Sequence, residues 1–338
     1  MIINTENIDQ IRQRAFEIDA CISIVIIEEA MARGLKIEMP FNNFKLLSIY
    51  PPESEIPIEF RRVATHKTSA VSLAITKDKA LCYRVAESVG MRILPWIMAL
   101  SKESALEFYE SQDGCCIIKP LKGQGGRGIV TSFSGVDDFV ARYLELKDGD
   151  DVIVQAKSMG SFDVRVLFID QKFVAATSTR PTTIIGNGNS TLSELIATEN
   201  AVRISDNTQR YPTMTLKELQ ISDAVNISGY ELDQIIPLNT TVLVSLSNVS
   251  KGGISSDITA KLHRSFIEEA EKLVKRLHIP VIAIDFIAEQ IEPEVSLEDS
   301  NAYFLEANST PGIDMQMYPH EGEGRNVAGQ FIDYLLQM

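Results

Sequence analysis

The sequence predicts an α+β fold in which two α+β subdomains follow a short N-terminal unit, and three observations predict it. Between residues 79 and 157, apolar positions switch repeatedly between helical spacing and short strand-like runs. Within that stretch an apolar strand ends in Lys119, and four glycines follow within six residues, Gly123, Gly125, Gly126 and Gly128. Further on, two apolar runs at 281–288 and 303–308 carry Asp285, Glu306 and Asn308.

The chain has 338 residues, 45% hydrophobic and 23% charged, an ordinary globular composition long enough for two or three modules. Its net charge of −14 makes an acidic surface, which disfavours nucleic acid and anionic membranes as partners. No apolar run approaches the roughly 18 residues that span a bilayer. The first twenty residues are charged throughout and have no apolar signal core, so a cytoplasmic location is expected. The four cysteines include no C-x-x-C pair, and Cys21, Cys82, Cys115 and Cys116 are expected to be buried and reduced.

Taken in order, residues 8–33 read as one helix, with Ile11, Ala15, Ile18, Ile22, Ile26 and Ala30 at three- and four-residue spacing and Gly34 as the stop. Short strands are expected at 35–39 and 45–50, after which Pro51, Pro52 and Pro57 break the chain. His66 falls in a turn before a single helix that carries Asp78 and Lys79 and ends at Gly90. A strand at 93–98, helices at 102–109 and 136–146 and a strand at 152–156 surround the glycine turn. Strands at 163–169 and 172–177 form a hairpin across Asp170-Gln171, and Ser190 or Thr191 caps the next helix. Residues 201–235 are polar and carry little pattern. A strand at 241–246 leads to the turn 248–253, and Asp257 and Thr259 are read as the start of a long helix that includes His263 and His278. The last helix is 327–336.

Glycine admits positive φ and lets backbone N–H groups approach a ligand, so consecutive N–H groups in the turn make a nest for an anion. Lys119 and Arg127 add fixed positive charge to it. A plain surface turn is the alternative. Asp285 stands in an otherwise apolar strand, and Glu306 and Asn308, two residues apart, share a face of the next. If those strands pair, two carboxylates and an amide oxygen converge, and they repel one another unless a cation neutralises them. Hard oxygen ligands on a rigid hairpin suit Mg²⁺, with Mn²⁺ as a substitute. The alternative has Asp285 as a turn residue and Glu306 facing water. A phosphate nest with a separate cation site implies Mg–ATP, and neither G-x-x-x-x-G-K-[ST] nor a G-x-G-x-x-G turn is present. Arg165, mid-strand among apolar residues, points either to solvent or into a polar site, and Lys79 taken alone is an ordinary helix lysine.

These motifs, in this order, resemble the ATP-grasp superfamily of carboxylate–amine ligases, and within it the ATP-grasp region of cyanophycin synthetase and of the bifunctional glutamate–cysteine ligase/glutathione synthetase. The segments that carry the resemblance include Asp78-Lys79, Lys119-Pro120 with the glycine turn, Asp163-Val164-Arg165, Gly186-Asn187-Gly188-Asn189, Ile284-Asp285 and Glu306-Ala307-Asn308-Ser309-Thr310-Pro311-Gly312. They span roughly residues 25–338. The resemblance implies an ATP-grasp fold with an N-terminal unit at 1–78, a lid at 79–157 and a C-terminal subdomain with the metal and substrate site at 158–338. It implies that Lys79 and Lys119 contact ATP phosphates, that Gly123, Gly125, Gly126, Arg127 and Gly128 close over them, and that Gln155, Ala156 and Lys157 meet the adenine. Asp285, Glu306 and Asn308 would hold the metal, and Arg165 would act catalytically with Lys119 at the reacting phosphate or substrate carboxylate.

The activity so implied is ADP-forming amide synthesis between a small-molecule carboxylate and an amine, amino acids or short peptides, through an acylphosphate. A homodimer is the expected assembly. A small-molecule kinase and a ligase acting on a larger peptide or carrier are the rival readings. Four departures stand out. Gln155 replaces a common acidic residue, Val244 and Ser245 stand where an arginine is frequent, the turn at 160–163 is one residue longer, and the other catalytic halves of both relatives are not in these residues.

Overall fold

The computed structural model describes residues 1–18, 20–123, 128–206, 229–245, 249 and 252–338. The chain divides into two compact units, one of residues 1–67, 167–260 and 310–338 and the other of residues 68–166 and 261–309. No described helix is long and apolar enough to cross a membrane.

In the first unit the expected N-terminal helix is two helices, Ile8–Glu17 and Cys21–Ala32. The second is apolar nearly all round and buries Cys21, Ile22, Ile24, Val25, Ile26 and Ile27, whereas among the described side chains of the first only Ile11 and Ala15 are buried. One straight helix cannot serve both environments. The break lets the first helix fold back, and Arg12 reaches Glu28 at 2.7 Å. Gly34, at φ +69, terminates the second helix as expected.

A four-stranded antiparallel sheet follows, Ile37–Glu38, Leu47–Ile49, Ile58–Arg61 and Ala64–Thr65. Its last two strands lie beyond the prolines, which hid them from pattern reading. Lys172–Arg180 pairs with Ile254–Asp257, a strand where the sequence suggested a helix start. The Asp257 carboxylate accepts from the Thr259 N–H and hydroxyl and so forms a local turn in place of a helical cap. Asp170 and Gln171 both take positive φ, as a two-residue hairpin turn requires. Thr191 caps the helix Leu192–Asp206, its hydroxyl accepting from the Glu194 N–H and the Glu194 carboxylate accepting in return.

Gly186 sits where the backbone of Pro237 passes. A Cβ there would lie 2.2 Å from the Pro237 carbonyl oxygen and 2.4 Å from Ile236 Cγ2. Because backbone cannot yield as a side-chain tip can, Gly186→Ala is expected to destabilise by about 2–4 kcal/mol, read as a fall in the denaturant midpoint.

The second unit holds a three-stranded antiparallel sheet with Val152–Ala156 between Trp96–Ala99 and Cys116–Pro120. The helices Lys102–Ser111 and Val136–Lys147 cover it, packing Ala105, Phe139 and Tyr143 onto Cys116, Ile118, Val152 and Val154. The expected single helix around Asp78 is again two, Ala70–Lys77 and Lys79–Ser88. Asp78 leaves helical geometry at φ −103 and ψ 107 and accepts from the Leu81 N–H at 2.9 Å, so its capping preference outweighs continuity. Lys79 therefore opens a helix.

Val281–Ala288 pairs antiparallel with Tyr303–Asn308, and residues 162–166 of the strand Phe162–Ile169 lie on the other side of Val281–Ala288. The amphipathic helix Arg264–Leu277 buries Phe266, Ala270, Leu273, Val274 and Leu277. His263 and His278 are its N- and C-caps, not interior residues: the His263 ring accepts from the Ser265 N–H, and His278 is left-handed at φ +51. Cys21, Cys82 and Cys116 are buried and form no disulfide, and burial holds Cys82 up at about 12 and Cys116 at about 11. Cys115 is exposed, against expectation, because it precedes the strand whose first inward residue is Cys116.

Candidate active site

The described residues that the sequence nominates for the site fall in the second unit. Strand register sets the first pair. Asp285 lies directly across from Glu306, and Asn308 faces Ala283 two positions along. A register shift follows Asp285, where the ladder is irregular. Glu306 counts as exposed, yet protein crowds it. Poor hydration and then the charge of Asp285 raise its pKa above the usual carboxylate value, against the pull of Arg165, Lys79 and Lys119. Asp285 is buried and does not stand alone. Arg165 forks onto it, Nε to Oδ1 at 2.8 Å and NH2 to Oδ2 at 2.7 Å. This planar bidentate pair explains an arginine in an apolar strand.

The second cluster joins Gln155 of the central strand of the three-stranded sheet, Lys119 of the neighbouring edge strand and Tyr83 of the helix Lys79–Ser88. Lys119, 5% exposed, donates to the Tyr83 hydroxyl at 2.5 Å and to Gln155 Oε1 at 2.7 Å, and its Nζ lies 4.9 Å from the Tyr83 ring centre. Burial, reinforced by the positive charge of Lys79, brings Lys119 down to about 7. Lys79 is half-buried, its pKa lowered by burial, and its Nζ donates to the carbonyl of Gly123 at 2.9 Å. Gln155 is 0% exposed. Its Oε1 is committed to the ammonium of Lys119, which fixes the amide orientation, and its Nε2 has no hydrogen-bond partner among the described residues. A buried donor without a partner costs about 1–3 kcal/mol, so this atom marks a place for an acceptor.

Ala156 is paired with Cys116 in the sheet, and Lys157 is exposed with Nζ donating to Thr131 O. The glycine turn is described only at its ends. Gly123 and Gly128 take φ of 142 and 76, and Ile118 and Val130 exchange both backbone hydrogen bonds to close the hairpin. Gly125, Gly126 and Arg127 lie outside the described residues. Val249, Gly252 and Gly253 are described in the turn after 248, and the rest of that turn is not.

Among the described residues, no group of three His, Cys, Asp or Glu side chains gathers at metal-binding distance. The donor set is two carboxylates and an amide, and mutual repulsion of the carboxylates is the feature that a cation would relieve. Tyr83 was missed by sequence reading. Its spacing of four from Lys79 puts both on one helix face, and that was the available signal.

Lys119 offers a pH test. An anion bound at its Nζ raises its pKa again, so binding above pH 7 takes up a proton. Titration calorimetry of a nucleoside triphosphate at about pH 8, in buffers of different ionisation enthalpy, is expected to report uptake of about one proton, vanishing near pH 6. In the free protein the same group lowers stability fully below about 7, and stability recovers as pH rises toward about 10, because only the unfolded chain stays protonated there.

No family model matches the chain. Cyanophycin synthetase of Synechocystis is 32% identical over 224 residues, 65% of this chain and 25% of that protein. Cyanophycin synthetase of Trichormus variabilis is 28% identical over 313 residues, 92% of this chain and 34% of that protein. The glutathione biosynthesis bifunctional protein GshAB of Clostridium perfringens is 25% identical over 320 residues, 92% of this chain and 40% of that protein. The chain thus spans between a quarter and two-fifths of the length of these curated relatives. The crystal structure of a bifunctional glutathione synthetase from Pasteurella multocida superposes with a TM-score of 0.65 at 20% identity, over 94% of this chain and 43% of that one. The chain thus has the fold of that bifunctional glutathione synthetase, an ATP-grasp fold, and its sequence is similar to cyanophycin synthetases and to GshAB.

Proposed function

We propose that the chain is an ATP-dependent, ADP-forming ligase that joins a small carboxylate to an amine. The observation that carries this reading is the buried Lys119–Gln155–Tyr83 cluster, with its spare amide donor, in the same unit as the Asp285–Glu306 pair. In the reaction the carboxylate oxygen bonds to the terminal phosphorus of ATP and ADP leaves. The amine nitrogen then attacks the acyl carbon, phosphate leaves with the bonding pair, and the amine loses a proton to give the amide.

Lys119 and Lys79 would hold phosphate oxygens, and Gln155 Nε2 would donate to an acceptor on the base, beside Ala156 and Lys157. Asp285, Glu306 and Asn308 would hold Mg²⁺, or Mn²⁺ in its place. The bound ion supplies charge neutralisation at the phosphate oxygens. Glycines 123–128 with Arg127, and residues 79–157 as a lid, would exclude water that otherwise hydrolyses the acylphosphate. Small amino acids or short peptides are the proposed substrates, without nucleic acid or membrane partners.

The test is product analysis across amino acids and dipeptides, singly and in pairs. ADP, phosphate and amide in equal amounts, requiring both substrates, are expected. AMP with pyrophosphate, or a stable phosphorylated product in excess amine, overturns the reading.

A further inference from the structure

Away from these residues, the first unit contains a cavity of about 340 Å³ where the two N-terminal helices meet the loops of the four-stranded sheet. That volume is in the range of small-molecule sites. Its charge is unusual for this chain. Arg14, Lys45 and Arg62 line it, and none of the three forms an ion pair with a described carboxylate; Asp19, between the lining residues Ile18 and Ala20, lies outside the described residues.

Arg62 N–H donates to the Lys45 carbonyl at 3.2 Å, which brings the two backbone positions together. The Arg14 guanidinium lies 5.8 Å from the centre of the Phe44 ring, and Ser23 Oγ donates to the Phe44 carbonyl from the first turn of Cys21–Ala32. The backbone around the cavity is strained. Phe41, Asn42 and Arg62 are left-handed at φ of 54, 56 and 56, and Phe41 holds its ring 92% exposed at the rim. A left-handed bulky residue costs about 1–2 kcal/mol, and such conformations persist where surrounding structure or a ligand requires them.

We infer that this cavity binds a small, multiply charged organic anion through the Arg14, Lys45 and Arg62 side chains, with Phe41 covering the apolar part of the ligand. The ligand chemistry is a carboxylate or phosphate cluster on a short apolar body. The site is independent of the nucleotide residues proposed above.

The experiment is calorimetric titration of the full chain with phenyl phosphate, phthalate and inorganic phosphate. Saturable binding is expected, with phenyl phosphate or phthalate at least fivefold tighter than inorganic phosphate. Which of the two organic probes leads tells phosphate from carboxylate. Arg62→Gln with Lys45→Gln is expected to weaken binding at least tenfold with an unchanged circular dichroism spectrum, whereas Lys119→Gln leaves it intact. Arg14→Gln, on an exposed helix face, should weaken it at least threefold and answers the question if the double variant does not fold. Absence of saturable binding by all three probes, binding that persists in the lysine–arginine variants, or binding abolished by Lys119→Gln overturns the inference.

Discussion

Glu306→Gln is expected to lower ADP formation at least about 10²–10³-fold while leaving the protein as stable as before, or more so. The two halves of that expectation have one origin. Glu306 lies across from Asp285 in the strand pair, and crowding and like charge raise its pKa. A carboxyl whose folded pKa exceeds its unfolded value is a liability above that pKa. Its cost is absent below the unfolded value and grows as pH rises through the window between the two. Glutamine removes the charge, so the variant should lack that loss of stability at neutral pH, and its melting temperature should equal or exceed that of the parent. A residue that carries a stability cost fits the cation-holding role proposed for it. Near-normal turnover in the variant would remove Glu306 from the site. A large fall in melting temperature would instead make it a structural residue.

Arg165→Lys is expected to abolish most activity and to destabilise by about 1–3 kcal/mol, although the charge is kept. Lysine presents a point charge and cannot reproduce two parallel N–H···O bonds to Asp285. Arg165→Met should be worse, about 3–5 kcal/mol, because Asp285 is buried and would be left uncompensated. Adding Asp285→Asn to Arg165→Met removes the orphaned charge and should restore most of the stability without restoring turnover. That separation is the informative readout. If the double variant regains activity along with stability, the pair is a structural brace and the catalytic assignment of Arg165 fails.

Much of this site was legible in the chain. Period-two spacing put Glu306 and Asn308 on one face, and the apolar runs 281–288 and 303–308 coincide with the strands Val281–Ala288 and Tyr303–Asn308. The terminal helix Val327–Leu336 is likewise where its periodicity places it. What the pattern did not carry was adjacency between distant segments. Nothing local to Arg165 says that its neighbour across the sheet is Asp285, because strand order is a tertiary choice. Nor does the sequence say that Gln155 spends its oxygen on Lys119 and leaves its nitrogen over. Helix continuity failed for a different reason. Periodicity runs smoothly through residue 20 and through Asp78, yet burial on all sides of Cys21–Ala32 and the capping carboxylate of Asp78 end the helices there. The strands Ile58–Arg61 and Ala64–Thr65 were masked by prolines that only bound them.

The fork of Arg165 on Asp285 has a consequence for how such a site is put together. A carboxylate meant for a metal usually leaves the newly made chain with a charge that nothing neutralises until the ion arrives. Here the guanidinium is a resident counterion, bonded to the same two oxygens. If Asp285 holds the proposed ion, the protein would need no free divalent ion to complete its folding, and the ion would find a carboxylate that is already aimed. Chelators should silence such a protein without unfolding it.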